Sequence, residues 1–348
     1  MEVSQLLRYA VCVGGVLLLA LLWWWFTVYQ RRRLLSDISQ QWGKPWDRER
    51  KAQVTEAYFN LQKTQDARTS GVFHVDERTW QDLDMPTLYE HLDRTYTTPG
   101  EQVLHSLLRT PVLSQEPLSE REALINWFLT DTERRETVAL ELAGLGRLGG
   151  DRLTQLLWEE LPEKPATAYI PYALFLVAIA APVFCYLNQW SPVLVLMSVF
   201  GVNVICHALF QRRMVGFMDP IGYLGRMLAY ASRLVQIGAN GLPEEYVKIL
   251  AQSLTGSRQI LKRTAVVSRM PGGDVLFQYV NMYFLIQVRA FFSVLELVKK
   301  HRRQLQTVYE TLGFIDAMQS VASYRAGSKP GSICTPRLVV AECSLRIE

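Results

Sequence analysis

The stretch "YIPYALFLVAIAAPVFCYLNQWSPVLVLMSVFGVNVICHALF", residues 169–210, decides the fold because two uncharged runs of membrane-spanning length follow each other in it. The runs cover residues 169–187 and 192–210, and only "NQWS" separates them. A turn that short makes the two helices antiparallel. Gln211, Arg212 and Arg213 follow the second run, and the positive-inside rule places these arginines in the cytoplasm. The stretch therefore predicts a membrane hairpin, residues 169–210, with both ends on the cytoplasmic side.

A third apolar run, "YAVCVGGVLLLALLWWWFTVY", occupies residues 9–29, and three arginines, 31–33, lie directly behind it. Its length predicts an uncleaved transmembrane anchor, residues 1–30, since the apolar region of a secretory signal is shorter. The charges then place residues 31–168 and 212–348 in the cytoplasm of a multi-pass protein of the inner or plasma membrane. The alternative is that all three runs are buried helices of a soluble protein, although such helices are usually shorter and carry charges at their edges.

The parts outside the membrane are predicted to be all-α, because strand signals are nearly absent from them. Residues 31–74 form a cytoplasmic stalk with a helix at 46–63, and residues 75–168 form a series of short helices with individual start signals. Ser119 begins a capping box, and Asp131 precedes another helical run. The predicted fold class is therefore mainly α, with a multi-helix body and three transmembrane helices.

The best-marked helix lies in "DRTYTTPGEQVLHSLLRTP", residues 93–111. Thr98 is the predicted cap, Pro99 the first helical residue, and Glu101 the acidic partner of the cap. Val103 and Leu104 lie on one face with Leu107 and Leu108, while His105 and Ser106 point away from it. We expect the apolar face to pack against neighbouring helices, and a pairing of Glu101 with His105 to be solvated.

The second half, residues 211–325, is predicted to be helical as well, and its longest helix runs from Val275 towards Ala322. The first part of that helix is apolar enough for a fourth span, but a crossing there would place residues 299–303 outside, against the charge rule. We therefore expect one long helix, buried early and solvated late. The segment "PRLVVAECSLRIE", residues 336–348, alternates like a strand and begins a linker, residues 326–348.

Most kinds of catalytic site lack their residue patterns in this sequence. No G-x-x-x-x-G-K-S/T segment occurs, and the histidines do not have the spacing of metal ligands. Residues 144–149, "GLGRLG", match the dinucleotide fingerprint, but they follow a helical run instead of a strand, which favours a turn between two helices. We predict no catalytic residue, no metal, no cofactor and no disulfide among the five cysteines.

Basic residues are the remaining candidates for function. The formal net charge is only +4, which permits contact with phosphates without requiring it. On long helices the basic groups can reach a nucleic-acid backbone, whereas a solvated helix face or a patch on the cytoplasmic membrane surface explains them equally well. The candidates for phosphate, DNA or lipid contact are Arg258, Lys262, Arg263, Arg269, Lys299, Lys300, Arg302 and Arg303.

Several of these segments together resemble the core, or lever, region of the MutS family of DNA mismatch repair ATPases, and in particular its membrane-anchored MutS-like subgroup. The resemblance lies in "HVDERTWQDLDMPTLYEHLDRTYTTPGEQVLHSLLRTP" at 74–111, "LSEREALINWF" at 118–128, and "YETLGFIDAMQSVASYR" at 309–325. It implies that residues 75–168 and 211–325 are the two halves of one lever and clamp body. It also implies DNA as a partner, a homodimer, and ATP with Mg²⁺ in an ATPase domain that would follow residue 348.

Two departures from the family decide the functional hypothesis. The family's P-loop is missing from these residues, and the anchor and stalk stand where the family has a mismatch-reading domain with a Phe-x-Glu wedge. We therefore expect a non-catalytic, membrane-anchored scaffold that couples DNA binding to an ATPase module not present in this chain. The rival hypothesis is a membrane-tethered protein-interaction scaffold without nucleic-acid function.

Overall fold

The computed structural model describes residues 2–48, 50–66, 72–112, 114–159, 166–267, 275–329, 331 and 332, with the side chains of 2–14, 16, 17, 19, 166, 213 and 275–277 excepted. Within these residues the chain is helical and contains no strand, as predicted. The strand predicted at 336–348 lies outside the described residues. The helices are α1 Glu2–Gln41, α2 Ala52–Asp66, α3 Glu77–Asp82, α4 Met85–Leu92, α5 Thr98–Arg109, α6 Gln115–Thr130, α7 Thr132–Leu145, α8 Arg152–Trp158, α9 Ile170–Asn188, α10 Pro192–Ile237, α11 Glu244–Ser253, α12 Ser257–Val267, α13 Val275–Phe284, α14 Ile286–Lys300 and α15 Arg302–Gly327.

The predicted hairpin is formed by α9 and the first half of α10. Thr167–Asn188 and Pro192–Arg212 are each long and apolar enough to cross a membrane, and the two helices pack together. Gln189 makes the turn between them in the left-handed conformation, with φ 49°. α10 does not end at the arginines but continues as one helix of 46 residues. The predicted hairpin and the helical body are therefore joined by continuous helix.

The anchor prediction falls on α1, which is helical through the whole apolar run. Trp23, Trp24 and Trp25 are exposed, as expected for residues that meet an interface. The side chains of residues 2–14 are outside the description, and the helices that meet the length and composition of a membrane span are found elsewhere in the chain. The first span therefore stays a prediction.

Residues 52–66 differ from the predicted stalk. The helix expected at 46–63 is found at Ala52–Asp66, where it packs against α5 and buries Tyr58 and Phe59. This part of the predicted stalk therefore belongs to the helical body. The start signal at Asp131 is confirmed, since its carboxylate accepts from the backbone N–H of Arg134 at the start of α7. Ser119, in contrast, lies inside α6 and does not begin it.

The two halves of the chain meet where α5 packs against α15. The cap of α5 is Thr97, not Thr98, because the Thr97 hydroxyl accepts from Gly100 N at 3.0 Å. The carboxylate of Asp316 on α15 accepts from the backbone N–H of Thr97 at 2.8 Å and from its hydroxyl at 2.6 Å. Gly100 is required at this contact, since a Cβ there would overlap the Asp316 side chain. α15 thus completes the N-terminal cap of a helix more than 200 residues away in sequence.

The long helix predicted from Val275 is wrong, since three helices stand in its place. The chain breaks at Leu285, which is left-handed with φ 51°, and again at His301. The axes of α13 and α14 differ by 67° at the first break, and this bent pair is apolar enough to count as a further membrane-spanning or re-entrant element. The late part is not solvated as predicted, since Val308, Leu312 and Ile315 on α15 are fully buried. The early part is largely buried on α14, as at Val288, whereas Tyr279 on α13 is exposed.

The Asp316 cap predicts the effect of a conservative substitution. In Asp316→Asn the amide NH₂ would face N–H and O–H donors, and we expect the protein to lose about 2 kcal/mol of stability, the cost of leaving buried donors unsatisfied. The thermal unfolding of the purified protein in detergent, followed by tryptophan fluorescence, measures this loss. Asp82→Asn, at a side chain that is 70 % exposed, is the matched control. Equal melting temperatures of the two variants would contradict the role given to the cap.

Candidate functional site

Most of the basic residues predicted as contact sites are exposed on two helices that pack against each other. Arg258, Lys262 and Arg263 are exposed on α12, and Lys299 and Lys300 are exposed at the end of α14. The two helices pack against each other and run in opposite directions, because Gly256 at the start of α12 lies beside the ring of His301 just after α14. With Arg303, which is exposed at the start of α15, these five residues form what we call the basic surface.

Two of the predicted residues do not belong to this surface. Arg302 is half-buried, and its guanidinium donates to the carbonyl oxygen of Glu159 at 2.5 Å, so it joins α15 to the end of α8. Arg269 lies outside the described residues. The basic surface therefore consists of Arg258, Lys262, Arg263, Lys299, Lys300 and Arg303.

A second group of charges, which the sequence did not reveal, is buried around Asp93. Its carboxylate is fully buried and accepts from Arg48 at 2.7 Å, from Arg50 at 3.0 Å and from Arg147 at 3.3 Å. Burial alone would raise the pKa of Asp93, but the guanidinium groups of Arg147 and Arg48 lower this pKa to about 2. Asp93 is therefore a carboxylate at neutral pH and holds together three segments of the chain.

Glu101 belongs to the same group and corrects our expectation of a solvated pair with His105. Glu101 is buried, forms an ion pair with Arg147, and accepts from the hydroxyl of Thr55 at 2.6 Å. His105 does not pair with Glu101. Its ring is buried among Phe59, Trp80 and Tyr89, with centroid distances of 5.9, 5.2 and 5.5 Å.

The environment of His105 keeps its imidazole neutral. Burial, and secondarily the positive charge of Arg109, lower the pKa of His105 to about 4. Ser106, which was also expected to point away from the packed face, is buried and donates to Gln62 at 2.5 Å. α5 is thus buried on both faces, because α2 covers the face that the apolar pattern leaves polar.

The glycine-rich turn has a structural role in this group of charges. α7 ends at Leu145, Gly146 has φ 65°, and a helix, not a strand, precedes the turn, so the preferred interpretation of residues 144–149 is confirmed. The turn brings Arg147 to Asp93 and Glu101, and the N–H of Leu148 donates to the Thr98 hydroxyl at 2.7 Å. Nothing in the sequence singled out Arg147, because its partners lie about 50 residues away.

The removal of Arg147 tests whether the ion pairs around Asp93 and Glu101 stabilise the fold. In Arg147→Met the Glu101 carboxylate would remain buried without a cation, and breaking a buried pair in this way costs about 3–5 kcal/mol. We expect a strongly lowered melting temperature. Arg134→Met is the matched control, since Arg134 is 46 % exposed and pairs with Asp131 at the surface. A melting temperature of Arg147→Met equal to that of the control would show that the group does not stabilise the body.

The buried imidazole predicts a pH dependence of stability. The folded-state pKa of His105 is about 4 against 6.5 for a free histidine, so its contribution is present above pH 6.5 and is lost as the pH falls from 6.5 towards 4. At 1.36 kcal/mol per unit the loss is about 3 kcal/mol. As the pH is lowered from 6.5 towards 4, we expect the melting temperature of the wild type to fall more than that of His105→Phe, which has no imidazole to protonate. A constant difference would contradict the assignment.

Comparison with known proteins adds no relative to this picture. Neither the sequence nor the fold matches a protein-family model, a curated protein or a solved structure. No family is shown for the chain by these comparisons.

Proposed function

We propose that the chain is a membrane-anchored, MutS-core-like scaffold that is not itself catalytic and that couples DNA binding to an ATPase module. The observation that carries the proposal is the position of α15. It begins beside the basic surface and ends against the first half of the chain. At 26 residues it spans about 39 Å. A force applied at one end of such a helix reaches the other end.

The contacts of α15 support a relay because they are buried and specific along its length. The hydroxyl of Tyr309 donates to Gln102 at 2.6 Å, and Asp316 completes the cap of α5. Further along, the hydroxyl of Ser320 accepts from Arg94 N and donates to the carbonyl oxygen of Leu92, both at 2.6 Å. A displacement of α15 would therefore move α4 and α5 with it, as a lever requires.

The basic surface is the part that we assign to DNA. The ring of Phe292 on α14 contacts Phe210 near the end of the predicted span, with centroids 5.5 Å apart. Lys299 and Lys300 lie seven and eight residues further along α14, which is about 11 Å along the helix axis from that contact. We assign them to a phosphate backbone in the cytoplasm and not to the headgroups of the membrane. In the MutS family such a partner is DNA, and the functional unit is a dimer.

The topology that we propose keeps both halves of the body in the cytoplasm of a multi-pass inner or plasma membrane protein. Arg31–Arg33, Arg212 and Arg213 support it through the positive-inside rule. It leaves the turn of the hairpin outside, where Trp190 is 60 % exposed. ATP and Mg²⁺ enter the proposal only through the ATPase module that the resemblance implies.

DNA binding by the full chain in neutral-lipid nanodiscs tests the proposal. We expect duplex binding that weakens steeply with salt. In the variant Lys262→Gln/Arg263→Gln/Lys300→Gln the negative slope of log K against log salt should become shallower by about 2.7, or about 0.9 for each lost phosphate contact. The control variant Arg78→Gln/Arg134→Gln/Lys248→Gln removes three exposed charges elsewhere and should keep the slope. If no DNA binds at low salt, the rival protein-interaction scaffold takes the place of this proposal.

The topology has its own test. In a variant without the five native cysteines, Trp190→Cys should react with a membrane-impermeant maleimide added to intact cells, whereas Lys300→Cys should react only after the membrane is opened. Both residues are exposed, so accessibility within the protein does not limit either reaction. Labelling of Lys300→Cys in intact cells would overturn the proposed orientation.

A further inference from the structure

Four polar side chains gather where the bent pair of helices meets the membrane hairpin. Asn203 and His207 lie one turn apart on α10, Asn281 lies on α13, and Gln287 lies on α14. All four are buried, and Asn203 is fully so. Polar and ionisable groups are costly inside a membrane and usually mark a functional site there. None of the four residues belongs to the basic surface, and the group has no part in the function proposed above.

The hydrogen bonds fix the orientation of the Asn281 amide. Its Oδ1 accepts from the backbone N–H of Gln287 at 2.8 Å, and its Nδ2 donates to Gln287 Oε1 at 2.7 Å. The same Nδ2 lies 3.3 Å from Nε2 of His207. Because a backbone N–H can only donate, Oδ1 and Nδ2 of Asn281 cannot be exchanged. Nε2 of His207 therefore has to be the acceptor and must carry no proton.

Asn203 offers a hydrogen-bond acceptor to a protonated His207. Its Nδ2 donates to the carbonyl oxygen of Tyr283 at 2.5 Å, which fixes that amide too. Its Oδ1 is buried and has no hydrogen-bond partner among the residues that the structure describes. An unsatisfied acceptor one helical turn from an imidazole is the partner that a protonated imidazole needs.

We infer that His207 is a proton-binding site within the membrane segment, and that its protonation releases α13 from the hairpin. A proton taken from water would add to the lone pair of Nε2 and give an imidazolium. Its new N–H would face the NH₂ of Asn281, so the His207–Asn281 contact is lost. The imidazolium gains Oδ1 of Asn203 as acceptor instead.

The bend at Leu285 makes this change visible in the backbone. Leu285 is a non-glycine residue with φ 51°, a conformation that costs of the order of 1 kcal/mol and needs support from its surroundings. Asn281 supplies the support, since its Oδ1 caps the first turn of α14. When His207 no longer holds Asn281, the 67° bend loses that support. We expect α13 then to change its angle to α14.

Few other groups that titrate or carry charge lie on the elements around His207. The guanidinium of Arg289 on α14 stacks over the ring of Phe175 at 3.4 Å, and the hydroxyl of Tyr283 donates to the carbonyl oxygen of Ala178. These contacts leave the imidazole as the group of this cluster with a free lone pair for a proton. The titratable and charged residues on the neighbouring turns of α9, α10, α13 and α14 are Tyr172, Cys185, Cys206, Arg212, Tyr279, Tyr283 and Arg289.

Nuclear magnetic resonance of the full chain in nanodiscs, with ¹⁵N-labelled histidine, reads the protonation state of His207. The variant His207→Gln assigns the signal among the five histidines. At pH 8 we expect Nε2 of His207 to be unprotonated, and on titration to pH 4.5 we expect the signal of an imidazolium. A protonated Nε2 at pH 8, or no titration down to pH 4.5, would overturn the proposal.

Pulsed electron paramagnetic resonance follows the helix itself. Spin labels at Val280→Cys on α13 and Val215→Cys on α10, both at exposed positions, should give one distance at pH 8 and a second population at pH 4.5. His207→Gln is the matched control, because the amide oxygen of glutamine can accept from Asn281 but cannot be protonated. It should keep the first distance at both pH values. An unchanged wild-type distance, or an equal change in His207→Gln, would contradict the proposal, and neither outcome depends on DNA binding.

Discussion

The contact between Asp316 and the first turn of α5 is the interaction on which the body depends. It joins helices that lie on opposite sides of the membrane hairpin in sequence, and it does so with a fully buried carboxylate. Burial, the largest influence, raises the pKa of Asp316 to about 6 in spite of the bonds from Tyr96 and Thr97 that favour the ionised form. A group held against that cost fixes one relative position of α5 and α15. Packing of apolar faces alone would permit several positions.

The arginines that surround Asp93 are half-buried, and one of them, Arg147, acts on the same helix from its other side. Asp316 binds the cap of α5 at Thr97, while Arg147 binds Glu101 only one turn further along. Arg147 also reaches Asp93, so the segment that leads into α5 and the helix itself are held by one guanidinium. The first turn of α5 is therefore determined from both halves of the chain.

The sequence was sufficient for features that depend on neighbouring residues, and it failed where distant residues decide. Apolar length predicted the hairpin, and the capping signals predicted α5 and α7 to within a residue. The same local reasoning placed Glu101 and His105 in solvent, because nothing nearby shows that α2 and Arg147 cover them. It also missed the break at Leu285, since the Asn281 side chain that supports the break is itself held by His207, 74 residues earlier. The sequence identified the basic surface as a set of charges. It wrongly included Arg302, whose guanidinium donates to the carbonyl oxygen of Glu159 at the end of α8.

α10 is one helix that joins the predicted membrane hairpin to this region around α5. The helix carries Asn203 and His207 in its first half and Tyr223 and Tyr230 in its second. The hydroxyl of Tyr223 donates to the carbonyl oxygen of Gly146 at 2.8 Å, directly before Arg147. Since a continuous helix transmits tilt and rotation along its axis, a movement of the hairpin would reach the turn that positions Arg147. The predicted hairpin is thereby mechanically connected to α5 through α10. A second connection runs through α14 and α15 and reaches the same helix where Asp316 bonds to Thr97.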